Sequence, residues 1–193
     1  MVSVILKIPN LTLLYPALRI FLILMIIKEA YMKRIICSFI ILLLTAFSVP
    51  AQESENTPAS LKGVNTAEIV FDVNVGNPKL LSLRLKLVEK TLSDISHYAK
   101  YRAVVAFRGA ASDFMTKNDN HIDNDEKQIK KDIYRRLKTL KNDYNVTLEQ
   151  CGVAIGLRGI APEEIYDIIN VVENGYVSII GYQNQGYAFV PMD

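Results

Sequence analysis

Apolar positions follow two regimes along the chain. In the first 51 residues they run together, as Leu11 to Ile27 and again as Ile35 to Phe47. From Ala67 onward they recur with a period that changes from segment to segment. Ala67 to Val75 (AEIVFDVNV) is brief and rich in β-branched residues, which predicts a strand buried on at least one face. Asn77-Pro78 then supplies an N-cap and a first helical residue. Leu81, Leu85, Val88, Leu92, Ile95 and Ala99 follow at steps of four and three, one apolar stripe of a helix. Tyr101 to Phe107 (YRAVVAF) predicts a second strand, closed by Arg108-Gly109. Ala110 to Thr116 fits a short helix and Lys117 to Asp125 a polar loop, in which Asp123 and Glu126 have capping-box spacing. The next helix has its stripe in Ile129, Ile133, Leu137, Leu140 and Tyr144.

Val146 to Cys151 (VTLEQC) predicts a third strand, Ala161 to Glu164 a short acidic-ended helix, and Asn170 to Glu173 a fourth strand. Tyr176 to Gln185 has no clear period. The flanking Asn174-Gly175 and Gly186 favour a short helix there, and Tyr187 to Pro191 completes the series as a last strand. Strands alternating with crossover-length helices imply an α/β, three-layer fold, a mostly parallel sheet with helices on both faces. Ligand chemistry in such sheets gathers at the carboxyl ends of the strands. That rule selects Asn74 to Asn77, Arg108-Gly109 and Cys151-Gly152.

Charge is distributed unevenly. The whole chain sums to +2 from 22 Lys+Arg and 20 Asp+Glu, but five of those bases and one of those acids lie before Gln52, leaving 17 against 19 beyond it. The predicted domain is thus slightly acidic, which argues against nucleic acid as a partner. With 22% charged residues, seven Phe and ten Tyr, the chain also falls outside the disordered class.

Met32-Lys33-Arg34, the apolar run to Phe47, and Ser48-Val49-Pro50-Ala51 have the three parts of a secretory signal, with cleavage after Ala51. Residues 32–51 are therefore read as a signal peptide to the periplasm and 52–66 as a flexible lead-in to a domain over 67–193. The apolar run is short for a membrane span, so no stable membrane insertion of the mature domain is expected. Residues 1–31 precede a signal that is complete without them. Either they form an anchor hairpin with Ile35 to Phe47, or translation starts at Met32. Lys28-Glu29 can be encoded by AAGGAG, a ribosome-binding sequence, which favours the second.

The two cysteines, Cys37 and Cys151, are too few for a disulfide scaffold or a cysteine zinc site. Once the signal is removed, Cys151 is the sole thiol. It is either a small buried hydrophobe or a reactive group at a strand end. A thiolate is the nucleophile, and an unperturbed cysteine ionises near a pKa of about 8.5. Arg108 and the amides that follow Gly152 are the candidates to favour the anion. No metal site or cofactor is expected. Counting a calcium hand from Asp119 through His121 puts Asn124 where glycine is needed and Lys130 where glutamate is needed. Gly156 to Gly159 (GLRG) lacks the lysine and hydroxyl of a phosphate loop. His97 reads as structural. Tyr176, Tyr182 and Tyr187 form either a subunit interface or part of the core.

Cys151-Gly152-Val153-Ala154, then Arg158-Gly159-Ile160, Asn174-Gly175 and Gly186-Tyr187-Ala188, resemble the DsrE/DsrF-like family in order and spacing. FDVNVGNP (Phe71 to Pro78) and VVAFRG (Val104 to Gly109) resemble an exported branch of it. The resemblance covers Ala67 to Met192. It implies a five-stranded, mainly parallel sheet and assembly into homotrimers or hexamers. It also implies sulfur passed between proteins as a cysteine persulfide, with Cys151 as the sulfur carrier and Asn74, Arg108, Gly109 and Gly152 around it. A sulfur donor or acceptor protein is the partner this implies. No second cysteine lies near Cys151, so a resolving disulfide within the chain is excluded. The competing reading is a non-catalytic oligomeric module of the cell envelope that binds a small ligand or serves as a structural subunit.

Overall fold

The computed structural model describes residues 57–193, together with positions 20, 21, 23–29 and 31–33. The chain divides into two units, residues 1–53 and 54–193. In the first, the described positions are helical. Among the described residues no helix is long and apolar enough to cross a membrane. The expected signal peptide beyond Lys33, Cys37, the cleavage site at Ala51 and the start of the lead-in lie outside the described residues.

The second unit is built on five strands, β1 (Thr66–Val73), β2 (Lys100–Phe107), β3 (Thr147–Cys151), β4 (Asn170–Val172) and β5 (Ala188–Pro191). They form one sheet in the order β4-β3-β2-β1-β5, and every pairing is parallel. The crossovers carry helices α1 (Pro78–Ile95), α2 (Lys127–Asn142), α3 (Gly152–Leu157) and α4 (Gly175–Asn184). This is the three-layer α/β arrangement expected from the alternation of periods, with a wholly parallel sheet.

Strand alternation sends side chains to opposite faces, and the two faces are covered unequally. Ile69, Phe71, Val73, Val105, Phe107 and Leu148 point to one side and pack on the stripes of α1 (Leu81, Leu85, Val88, Leu92) and α2 (Ile133, Leu137, Leu140). That cluster is the main core. Val70, Val104 and Ala106 point to the other side, where the short helix α4 supplies Ile179 and the partly buried Tyr182, with Tyr187 packed beside them. Asp72, Glu149 and Cys151 share this second face by register. Only ten residues of helix cover it, yet Asp72, Ala106 and Cys151 at the strand ends on this face are each 3% exposed.

The helix starts are set as the residues predict. Asn77 accepts the amides of Lys79 and Leu80 at 3.0 Å each, and Asn174 accepts that of Tyr176 at 3.0 Å. Glu126 reaches back to the Asp123 amide at 3.0 Å, completing the expected capping box. The segment 110–116 is a tight 3-10 helix, Gly109–Met115. One further helix was not foreseen. The sequence Gly-Val-Ala-Ile-Gly-Leu carries two glycines in six residues, which lowers its helical propensity, yet it forms α3 directly after β3.

Beside the loop that follows Thr116, the Lys130 ammonium is held by oxygen atoms. It donates to Thr116 Oγ1 at 2.9 Å and to the Asn118 carbonyl, and lies 3.4 Å from an Asp119 oxygen. Its burial lowers its pKa from the usual lysine value, against the opposing pull of Asp119. His121 meets Glu164 at 3.1 Å, and no cluster of three or more possible metal ligands occurs among the described residues.

Candidate functional site

The carboxyl ends of β1, β2 and β3 converge on one cavity of ≈ 340 Å³. Asn74, Arg108, Gly109 and Cys151 line it, together with Val153, Ala154, Leu157 and Arg158 around α3 and Tyr176 at the start of α4. Four of the five residues selected from the sequence therefore share this cavity. Gly109 turns the chain at φ 53°, a conformation that favours glycine, and brings the β2 exit against Asn74.

Gly152, the fifth, has a different place. A Cβ there would lie 2.9 Å from the Val172 carbonyl oxygen and 3.0 Å from that of Glu173. The glycine admits the chain's own β4–α4 connection, held by a Val153 amide bond to Glu173 O at 3.2 Å. Gly152 thus stands beside Cys151 but is not among the residues that line the cavity.

Cys151 is the last residue of β3 and the N-cap of α3. Its side chain is only 3% exposed, yet it faces the cavity. The sulfur accepts a hydrogen bond from the Gly175 amide at 3.2 Å, the first residue of α4. Two features favour negative charge at this sulfur, a fixed N–H donor and the amino end of a ten-residue helix. Gly175 is required by the approach itself. A Cβ on it would stand 2.8 Å from Cys151 Cβ and 3.2 Å from the sulfur.

Arg108 is committed elsewhere than expected. Its Nε donates to Asp72 Oδ1 at 2.6 Å and its Nη2 to the other carboxylate oxygen, a two-point pair with Asp72 4% and Arg108 12% exposed. The bond to Asp72 raises the pKa of Arg108 above the ordinary guanidinium value, so it stays charged. Its positive charge is answered by the carboxylate, and the guanidinium also lies 4.3 Å from the centre of the Tyr176 ring. Arg158 repeats the pattern, donating through two nitrogens to the Asp113 carboxylate. The cavity wall thus carries two neutralised ion pairs, and the anion-favouring group beside Cys151 is the Gly175 amide. The rim is apolar, with Leu157 85% and Tyr176 62% exposed.

Sequence reasoning missed Gly175, Tyr176, Arg158 and Asp72 as parts of this site. Asp72 did leave a signal, since a lone carboxylate inside a central apolar strand needs a buried cationic or hydroxyl partner. The others come from chain segments whose meeting depends on how α4 crosses the sheet.

A fold and cavity of this kind define an α/β protein with a cysteine at the end of a central strand. The model of the DsrE/DsrF-like family matches residues 54–191, and the chain belongs to that family. An uncharacterized protein of Aquifex aeolicus (strain VF5) is 31% identical over 123 residues, covering 63% of this chain and 54% of that protein. The chain therefore spans about half the length of that relative. Among solved structures, the protein of unknown function MTH1491 from Methanobacterium thermoautotrophicum superposes with a TM-score of 0.50 at 14% identity, over 65% of this chain and 98% of that one. That likeness supports the fold. Family membership suggests a role of the sulfur-relay type.

Proposed function

We propose that this protein is an exported sulfur handler that carries sulfane sulfur as a persulfide on Cys151. The observation that carries the reading is the Cys151 sulfur at the carboxyl end of β3, facing a cavity with an amide N–H fixed on it at 3.2 Å. In the loading step the Cys151 thiolate attacks the outer sulfur of a donor R–S–SH. A new S–S bond forms on Cys151, the donor S–S bond breaks, and RS⁻ leaves with the electron pair. Discharge to an acceptor thiolate is the same exchange in reverse, so no external oxidant or reductant is required. With no second cysteine among the described residues, the carried sulfur waits for an acceptor from outside the chain.

Asn74, Gly109 and the Arg108–Asp72 pair shape the wall, and Tyr176 covers the guanidinium from the solvent side. Met32 to Ala51 supports export to the periplasm on the strength of its tripartite pattern. A second reading, a non-catalytic module that binds a small ligand, is favoured by the burial of Cys151 at 3% exposure.

Intact mass spectrometry separates the two. The protein with Cys37 replaced by serine, and the same protein carrying Cys151→Ser, are incubated with polysulfide or thiosulfate. A carrier gains 32 Da increments (about one sulfur atom each) that reductant removes, and the variant gains none. Absence of any reducible sulfur on the protein that keeps Cys151 hands the cavity to the binding module.

A further inference from the structure

Beneath α4 lies a buried carboxylate that the cavity does not use. Glu149 sits two residues before Cys151 on β3, so both side chains rise from the same face of the sheet. It is 7% exposed. One oxygen accepts the Tyr182 hydroxyl at 2.6 Å and the other accepts the Ser178 hydroxyl. Gly175, Ser178 and Tyr182 are spaced by three and four, which puts them on one side of α4. The helix is therefore fastened to β3 at two levels, Gly175 N–H on the Cys151 sulfur and two hydroxyls on the Glu149 carboxylate. Besides these bonds the inner face of α4 is held by Ile179, packed with Val70, Val104 and Ala106.

We infer that Glu149 is a positioning residue for the sulfur chemistry. By anchoring Ser178 and Tyr182 it fixes the register of α4 on β3, and so holds the Gly175 amide on Cys151. A carboxylate suits this task because it presents two acceptor oxygens to two hydroxyl donors at once, and hydrogen bonds to a charged acceptor are the stronger kind. A substitution that loosens the carboxylate clamp lets the amide drift from the sulfur. The sulfur then loses its fixed donor, the N–H group that a thiolate would use. This inference rests on the reading of Cys151 as the working sulfur.

The test is the rate of alkylation of Cys151 by iodoacetamide as a function of pH, on the full chain and on Glu149→Gln and Tyr182→Phe. Cys37 is replaced by serine throughout, so that one thiol reports. The other charged groups round the cavity, Arg108 with Asp72 and Arg158 with Asp113, and the Tyr176 phenol, are untouched by these changes. The expected result is a midpoint moved up by about one pH unit in Glu149→Gln, read as about a tenfold slower alkylation at neutral pH, with a smaller move in Tyr182→Phe. Ile133→Val, in the core on the other face of the sheet, serves as the control. It lowers the melting temperature and leaves the midpoint in place. An unmoved midpoint in both variants, each with native circular dichroism, overturns the proposal, as does a thiol that resists alkylation at every pH in the parent. Sulfur loading is scored separately. Loading with an unmoved midpoint sinks the clamp and keeps the carrier, whereas a moved midpoint without loading does the reverse.

Discussion

At the scale of single residues, the site depends on what is missing from Gly175 as much as on what Cys151 brings. Alanine at 175 would push a methyl to 2.8 Å from Cys151 Cβ and 3.2 Å from the sulfur, closer than packed carbon atoms normally come. Either α4 backs away and the amide bond is lost, or the cysteine side chain rotates out of the cavity. Overpacking of this kind costs about 1–3 kcal/mol. The expectation for Gly175→Ala is a lower urea midpoint together with loss of reducible sulfur loading on Cys151. Wild-type loading in a stably folded variant would show that the close approach has no part in the chemistry. Cys151, Arg108, Asn74 and Gly109 were legible in the sequence because each ends a strand or follows one, and strand ends are read from local pattern. Gly175 was legible only as a helix boundary. Its partner stands 24 residues earlier, and no periodicity reports that distance. The pairing of Arg108 with Asp72 was hidden for a similar reason, since that carboxylate comes from a strand 36 residues away.

At the scale of elements, strands and long helices were read from their periods, and errors fell where an element is too short to show one. Helix α3 has six residues and two glycines, so neither moment nor propensity marked it. Helix α4 is apolar on both sides, with Tyr176, Val177 and Ile180 exposed, which erased the contrast that normally separates helix from strand. The connection before β4 offers a pH test of how such short pieces are held. Glu164 ends the 3-10 turn Pro162–Glu164 and accepts from the Asn118 side chain, from the Ala161 amide at 2.9 Å and from His121 at 3.1 Å. These bonds, the one from Asn118 foremost, hold its carboxyl at a pKa of about 2 instead of 4.5. A carboxylate with a depressed folded-state pKa contributes its full stabilisation above the unfolded value, and loses it as pH falls toward the folded one. Stability therefore drops between pH 4.5 and 2, and Glu164→Gln flattens that part of the profile. Chemical denaturation of both proteins across this range checks the sign. Parallel curves would mean that Glu164 is free of these partners in solution.

At the scale of the whole molecule, strand alternation announced a parallel three-layer sheet but left the order of strands open, because adjacent positions in sequence do not say on which side of β1 the last strand returns. Its return beside β1 puts α4 alone over the second face, and this asymmetry bears on assembly. Tyr176, Val177 and Ile180 stand 57–65% exposed on the outer side of α4, and Phe189 of the edge strand β5 is exposed as well. A soluble monomer seldom leaves an outward helix face this apolar. Self-association into the trimer or hexamer implied by the family resemblance would cover it, and would set neighbouring protomers at the rim formed by Tyr176. Light scattering coupled to gel filtration should find such an oligomer for the parent protein. The double variant Val177→Asp with Ile180→Asp should run as a monomer with unchanged circular dichroism, since both side chains are already outside the core and only the interface pays for the charges. A parent protein that is monomeric at micromolar concentration, or a double variant that stays assembled, would remove α4 from any subunit contact.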